Sequence, residues 1–106
     1  MDKKKNTVIK IMKEFKEKIK KKIRPERVIL FGSRARGDNK ESSDFDVIIV
    51  SSDFKGIKFF KRSPPLYLLW NDDSSVDIIC LTPEELVKKQ KMIGVIQTAV
   101  KEGINI

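Results

Sequence analysis

Histidine is absent from this 106-residue sequence, and cysteine occurs once, at Cys80. Without imidazole there is no Ser-His-Asp or Cys-His relay and no zinc site of the usual kind. A single cysteine cannot close an internal disulfide, and Ile78, Ile79 and Leu81 around it give a buried strand position rather than a reactive thiol. No apolar run approaches the roughly 20 residues that span a bilayer. The opening MDKKKNTVIKIMKEF lacks the uninterrupted apolar centre of a signal peptide, so a cytoplasmic, soluble protein without a membrane partner is expected. Acidic residues are scarce at one end only. Residues 1–27 hold twelve Lys/Arg against four Asp/Glu, whereas residues 28–106 hold eleven of each, so the net charge of +8 comes from the first quarter. Such a basic segment attracts nucleic acid or an acidic partner, or is simply the solvated side of a helix. A single aromatic residue, Phe15, stands among its lysines, too few for a single-strand binding platform, so nucleic acid is possible but not favoured.

What is present fits one domain, residues 1–106, with a single core. Val8, Ile11 or Met12, Phe15, Ile19 and Ile23 recur every three or four residues, which predicts an amphipathic helix over 3–22, stopped by Arg24-Pro25. RVILF is a short strand ended by Gly32. Gly37 to Ser43 is a polar loop, and DFDVIIV is a second strand buried on both faces, with Ile48 and Val50 on one and Val47 and Ile49 on the other. Phe54 to Phe60 gives no clear pattern. Ser63-Pro64-Pro65 predicts an N-cap and a short helix through Trp70, and SVDIICL a third strand. Thr82-Pro83-Glu84-Glu85 predicts the capped start of a helix to about Lys91, with a second helical stretch from Ile93 to Lys101 ended by Gly103. Trp70, Phe59 and Phe60 are expected in the core. Helices alternating with three strands predict an α/β fold, a small sheet flanked by helices.

The chemistry gathers in FGSRARGDNKESSDFDVIIV, residues 31–50. Side chains two apart on a strand point the same way, so Asp44 and Asp46 project together while Phe45 turns to the other face. Two adjacent carboxylates repel each other, which a cation between them relieves, and hard oxygen ligands without imidazole or thiolate favour Mg²⁺ or Mn²⁺. A lone Asp-x-Asp is equally compatible with two solvated loop residues. Asp77 lies between Val76 and Ile78 inside an apolar strand, where an acid is costly unless it meets a metal or a charge; a buried pair with Arg34 or Arg62 competes with convergence on the other two aspartates. Gly32-Ser33 ends a strand and opens a short helix, a place for phosphate, with the Ser33 hydroxyl, Arg34 and Arg36 as further donors. No GxxxxGK[ST] is present, so it is not a P-loop.

Gly32-Ser33, ten residues, Asp44-x-Asp46 and a later strand Asp77 resemble the signature of the DNA polymerase β-like nucleotidyltransferase superfamily. The FGSRARG and SDFD wording and the LTPEEL segment are similar to its minimal nucleotidyltransferases. The resemblance implies that fold from Val28 to Ile106, with a small mixed sheet. It also implies that Gly32 and Ser33 hold the triphosphate tail of a nucleotide, with Arg34 and Arg36 as phosphate contacts. Asp44, Asp46 and Asp77 would hold Mg²⁺ or Mn²⁺, with Asp77 helping to deprotonate the attacking hydroxyl. The implied reaction transfers a nucleoside monophosphate, AMP from ATP, to a hydroxyl of a small helical HEPN-type partner protein, as in an antitoxin of a toxin–antitoxin pair. Two alternatives stand beside it: a non-catalytic module that masks its partner, and a nucleotidyltransferase acting on nucleic acid.

Overall fold

The three-and-four spacing of the N-terminal segment buries Val8, Met12, Phe15 and Ile19 on one side of helix α1 (Lys3–Ile19). The computed structural model describes residues 3–106. Helix α1 stops three residues short of its expected end, because Lys21 and Lys22 donate to carbonyls three residues back, at Lys18 and Ile19, and the last turn tightens before Pro25. There follow β1 (Arg27–Phe31), α2 (Ser33–Arg36), β2 (Phe45–Val50), a 3₁₀ turn (Ser52–Phe54), α3 (Phe59–Arg62), α4 (Pro64–Tyr67), β3 (Val76–Leu81), α5 (Pro83–Gln90), α6 (Val95–Glu102) and β4 (Ile104–Asn105).

Among the described residues the strands form one four-stranded mixed sheet in the order β3-β2-β1-β4. Strands β1 and β2 are antiparallel, β2 and β3 parallel, and β1 and β4 antiparallel. The parallel pair requires a crossover, which α3 and α4 supply. Alternation along the strands divides the core into two layers. Val28, Leu30, Phe45, Val47, Ile49, Val76, Ile78 and Cys80 pack with α1 on one face. Ile29, Ile48, Val50 and Leu81 pack with Leu86 of α5 and Ala99 of α6 on the other. The α/β architecture expected from the alternation of elements is present.

Helix α5 starts as predicted. The Thr82 hydroxyl accepts from the Glu85 N–H at 3.2 Å while the Glu85 carboxylate accepts from the Thr82 N–H at 2.7 Å, a capping box behind Pro83. Glu85 also receives Arg62 at 2.5 and 3.3 Å, and Arg62, only 8% exposed, donates further to the carbonyls of Ile57 and Cys80. Four local expectations are corrected. Ser63 makes no side-chain cap, and α4 ends at Tyr67 rather than Trp70. Phe59 and Phe60 are 54% and 68% exposed instead of buried, and they open α3, a helix whose sequence gave no pattern; only Trp70 reaches the core, edge-on to Phe15 and Phe45. Helix α6 begins at Val95, leaving Ile93 outside it. Gly103 ends α6 as expected, in an extended conformation, and a Cβ there would meet Ile29 Cγ2 at 2.6 Å and the Leu30 carbonyl at 2.9 Å, so the position requires glycine. That close approach brings the chain end back as β4, a two-residue strand too short to show in the sequence.

Candidate functional site

The register of the sheet determines where the aspartates stand. Asp46 is the direct partner of Asp77 across the parallel β2–β3 pair and of Phe31 across the antiparallel β1–β2 pair. Directly paired residues of neighbouring strands lie about 4.8 Å apart with side chains on one face. Asp46 and Asp77 therefore share the open end of the face that α5 and α6 cover elsewhere. Asp44 lies just before β2. The Phe45 N–H donates to the Ser75 carbonyl at 2.9 Å, which ties the start of β2 to the approach of β3. Burial, then Asp77, then Asp44 push the Asp46 carboxyl above the usual carboxylate range, and the positive charge of Arg36 partly offsets them. Asp77 is exposed, so convergence comes from register and not from the cost of a buried acid. Neither arginine considered as its ion-pair partner reaches it: Arg62 is bound to Glu85, and Arg34 is bound elsewhere.

Gly32 forms the floor beside Asp46. Its φ of 75° and ψ of −159° lie in a region essentially reserved for glycine. A Cβ at this position would collide with Asp46 Oδ2 and stand 3.3 Å from Asp46 Cγ, so the backbone of the turn lies directly against the carboxylate. The Gly32 carbonyl accepts from the N–H groups of Ala35 and Arg36, and Gly37, in the left-handed conformation, closes α2 by donating to the Ser33 carbonyl at 2.8 Å. Ser33 opens α2 directly after Gly32.

The two arginines of the motif diverge. Arg36 is exposed, bonded to Asp38 at 3.2 Å, and its charge acts on Asp46. Arg34, expected as a phosphate contact, is committed to the protein. It donates to the Ser43 carbonyl from Nε at 3.2 Å and from Nη2 at 2.8 Å, to the Glu41 carbonyl at 3.2 Å and to Ser74 Oγ at 3.2 Å, and it stacks 4.6 Å over the Phe45 ring. It clamps the loop that delivers Asp44 to the segment that delivers Asp77. A planar five-donor fork explains why arginine suits this position.

Beyond Gly32 lies a cavity of about 350 Å³ between α2 and α6. Phe31, Ala35, Val95 and Ala99 give it apolar walls, and Arg36, Thr98 and Glu102 supply polar groups. Both the volume and the mixture suit a small organic ligand. The α6 residues were invisible as site residues in the sequence, where they read only as a second helical stretch.

A family model for the nucleotidyltransferase domain matches residues 10–104. The chain belongs to the nucleotidyltransferase domain family. Two proteins of Methanocaldococcus jannaschii, named provisionally as the protein adenylyltransferases MJ0141 and MJ0604, are similar to it. The first is 49% identical over 53 residues, 48% of this chain and 54% of the relative. The second is 51% identical over 43 residues, 39% of this chain and 43% of the relative. The matched segments thus span about half the length of these relatives. A crystal structure from Sulfolobus solfataricus, provisionally named a nucleotidyltransferase, superposes with a TM-score of 0.69 at 26% identity, covering 96% of this chain and 81% of that one.

The donor set of this nucleotidyltransferase domain fits a hard divalent cation: hard oxygen ligands, one of them raised in pKa by burial and by its acidic neighbours, and no ion-pair partner for Asp44, Asp46 or Asp77 among the described residues. The three do not form a ready-made cage, and among the described residues no group of three His, Cys, Asp or Glu side chains is arranged to hold an ion. Mg²⁺ characteristically uses one or two carboxylates together with substrate phosphates rather than an all-protein cage. Cys80 is buried, with its thiol pushed up to about 12 by desolvation, and plays no part as a nucleophile. Among the described residues no helix is long and apolar enough to cross a membrane.

Proposed function

We propose that the domain transfers AMP from ATP to a hydroxyl group of a protein, with Mg²⁺ or Mn²⁺ as cofactor. The observation that carries this reading is the register pairing of Asp46 with Asp77 beside a glycine turn whose missing side chain makes room for the Asp46 carboxylate. Names given to the Methanocaldococcus relatives support a protein as acceptor. The small helical HEPN-type partner of a toxin–antitoxin pair is the acceptor that the resemblance to minimal nucleotidyltransferases suggests.

In this reading the triphosphate lies along Gly32 and Ser33, with Arg36 supplying positive charge, and the nucleoside enters the cavity between α2 and α6. Asp44, Asp46 and Asp77 are the residues that would hold the metal. Bound there, it supplies positive charge to the phosphate oxygens as the transition state forms. Asp77 accepts the proton of the acceptor hydroxyl. The hydroxyl oxygen forms a bond to the α-phosphorus, the bond from that phosphorus to the β-bridging oxygen breaks, and pyrophosphate leaves.

The acceptor class is tested by incubating the protein with α-³²P-ATP, Mg²⁺ and lysate. The expected product is a labelled band destroyed by protease and resistant to nuclease. A product destroyed by nuclease would overturn the protein-acceptor reading, and no product from a folded protein with any of the four nucleotides would overturn the enzyme.

A further inference from the structure

The crossover between β2 and β3 is unusual in what it exposes. Residues 54–71 contain four basic residues, Lys55, Lys58, Lys61 and Arg62, and no acidic one. Two of these charges are internally matched, Lys55 by Glu84 at 2.9 Å and Arg62 by Glu85. Lys58 and Lys61 are exposed, and they flank Phe59 and Phe60 in the chain. On α4 and just past it, Tyr67 is exposed and Leu68 is 87% exposed, with Ile57 exposed before α3. Large apolar side chains gathered on one short segment are what a monomer surface normally avoids.

This surface borders the candidate site. Tyr67 Oη accepts from the Ile78 N–H at 2.9 Å on β3, one residue beyond Asp77. Strand β3 is an edge of the sheet and the crossover runs along that edge, with Tyr67 meeting it beside Asp77 and Arg62 of α3 meeting it farther on, at the Cys80 carbonyl.

We propose that the α3–α4 crossover is the docking surface for the acceptor protein, and that the matching surface is an apolar patch rimmed by Asp and Glu. Charge complementarity selects that partner, since the unmatched lysines surround apolar side chains and no acid lies in the segment. The aliphatic Ile57 and Leu68 beside Phe59, Phe60 and Tyr67, with only two unmatched lysines, suit an apolar protein face with an acidic rim, and the three rings make a single-stranded nucleic acid the occupant to be tested against it. Docking there brings a hydroxyl of the partner to Asp77. The proposal rests on the reading of the domain as a transferase with a macromolecular acceptor, and it names the surface by which that acceptor is chosen.

The test has two arms. In the first, ¹⁵N-labelled protein is titrated with a helical peptide carrying a leucine stripe flanked by glutamates, and separately with an oligo-dT strand. The expected result is amide shifts confined to residues 57–68 with the peptide alone, lost in Phe60→Ser/Leu68→Ser and in Lys58→Glu/Lys61→Glu. Shifts with oligo-dT instead, shifts confined to α1, or none, would overturn the proposal. In the second arm, the same variants are assayed for ATP–Mg²⁺ binding and for label transfer to lysate protein. Unchanged nucleotide binding with transfer reduced about tenfold or more supports docking. Transfer unchanged in both variants overturns docking and leaves the enzyme standing, whereas peptide binding without any transfer by the parent protein overturns the enzyme and leaves the surface standing.

Discussion

At Gly32 a single hydrogen atom in place of a side chain lets the backbone reach Asp46. Gly32→Ala is expected to destabilise the domain by about 1–3 kcal/mol, the cost of a non-glycine residue in that backbone region. By displacing the Asp46 carboxylate it should also lower transfer activity by about a hundredfold. Urea unfolding and initial rates check the two effects separately. At Asp46 stability and function oppose each other. Its folded-state pKa is raised above the ordinary 3.8 by burial, Asp77 and Asp44, so ionisation removes stability as pH rises through the folded value. Asp46→Asn should therefore melt higher than the parent at pH 7 in EDTA, with the gain vanishing below pH 3.8, while activity falls by about 10²–10³-fold. A lower melting temperature for the variant at pH 7 in EDTA would contradict this description of the site. Gly32, Ser33, Asp44, Asp46 and Asp77 were visible as candidates in the sequence because motif and strand periodicity are local. The role of Arg34 was not, because its partners at Ser43 and Ser74 come together only when β2 and β3 pair.

At the scale of elements, two arginines organise what the strands only approximate. Arg34 holds the loop before Asp44 through bonds to backbone carbonyls, so Arg34→Ala should cost about 2 kcal/mol, the range for hydrogen bonds made by a charged group. Arg34→Lys should recover little of it, since an ammonium cannot reproduce the fork. Urea midpoints of the three proteins distinguish this from a simple charge effect, in which lysine would suffice. Arg62 joins α3 to the start of α5, and its hydrogen bonds hold the Glu85 carboxyl below the ordinary 4.5. That contribution is complete above pH 4.5 and is lost as pH falls through the lower folded value. Glu85→Ala should cost about 2 kcal/mol at pH 7, less than the roughly 3–5 kcal/mol of a fully buried pair because Glu85 is partly solvated. In acid the parent and the variant should converge in melting temperature. The N-cap of α5 was plain in Thr82-Pro83-Glu84-Glu85, but the bond of the Glu85 carboxylate back to Thr82 was not read there, and nothing near it in sequence announces Arg62.

On the scale of the whole molecule, the fold class followed from helices alternating with β-branched runs, and the sheet register then set Asp46 beside Asp77, 31 residues later in the chain. What stayed hidden was set by tertiary contact: β4, which exists because Gly103 lets the end of α6 approach β1, and the cavity, which needs α2 and α6 side by side. Exposure of Phe59 and Phe60 was likewise unreadable, since apolar composition alone places such residues inside. In the proposed function the turn at Gly32 and the carboxylates beside it transfer a nucleotide. Its most direct test is parallel incubation of the protein and Mg²⁺ with α-³²P-ATP or γ-³²P-ATP, beside the Asp44→Asn/Asp46→Asn variant. Transfer of the α label alone, abolished in the variant, is the predicted result. Transfer of the γ label, or an α label that persists in the variant, would contradict the account.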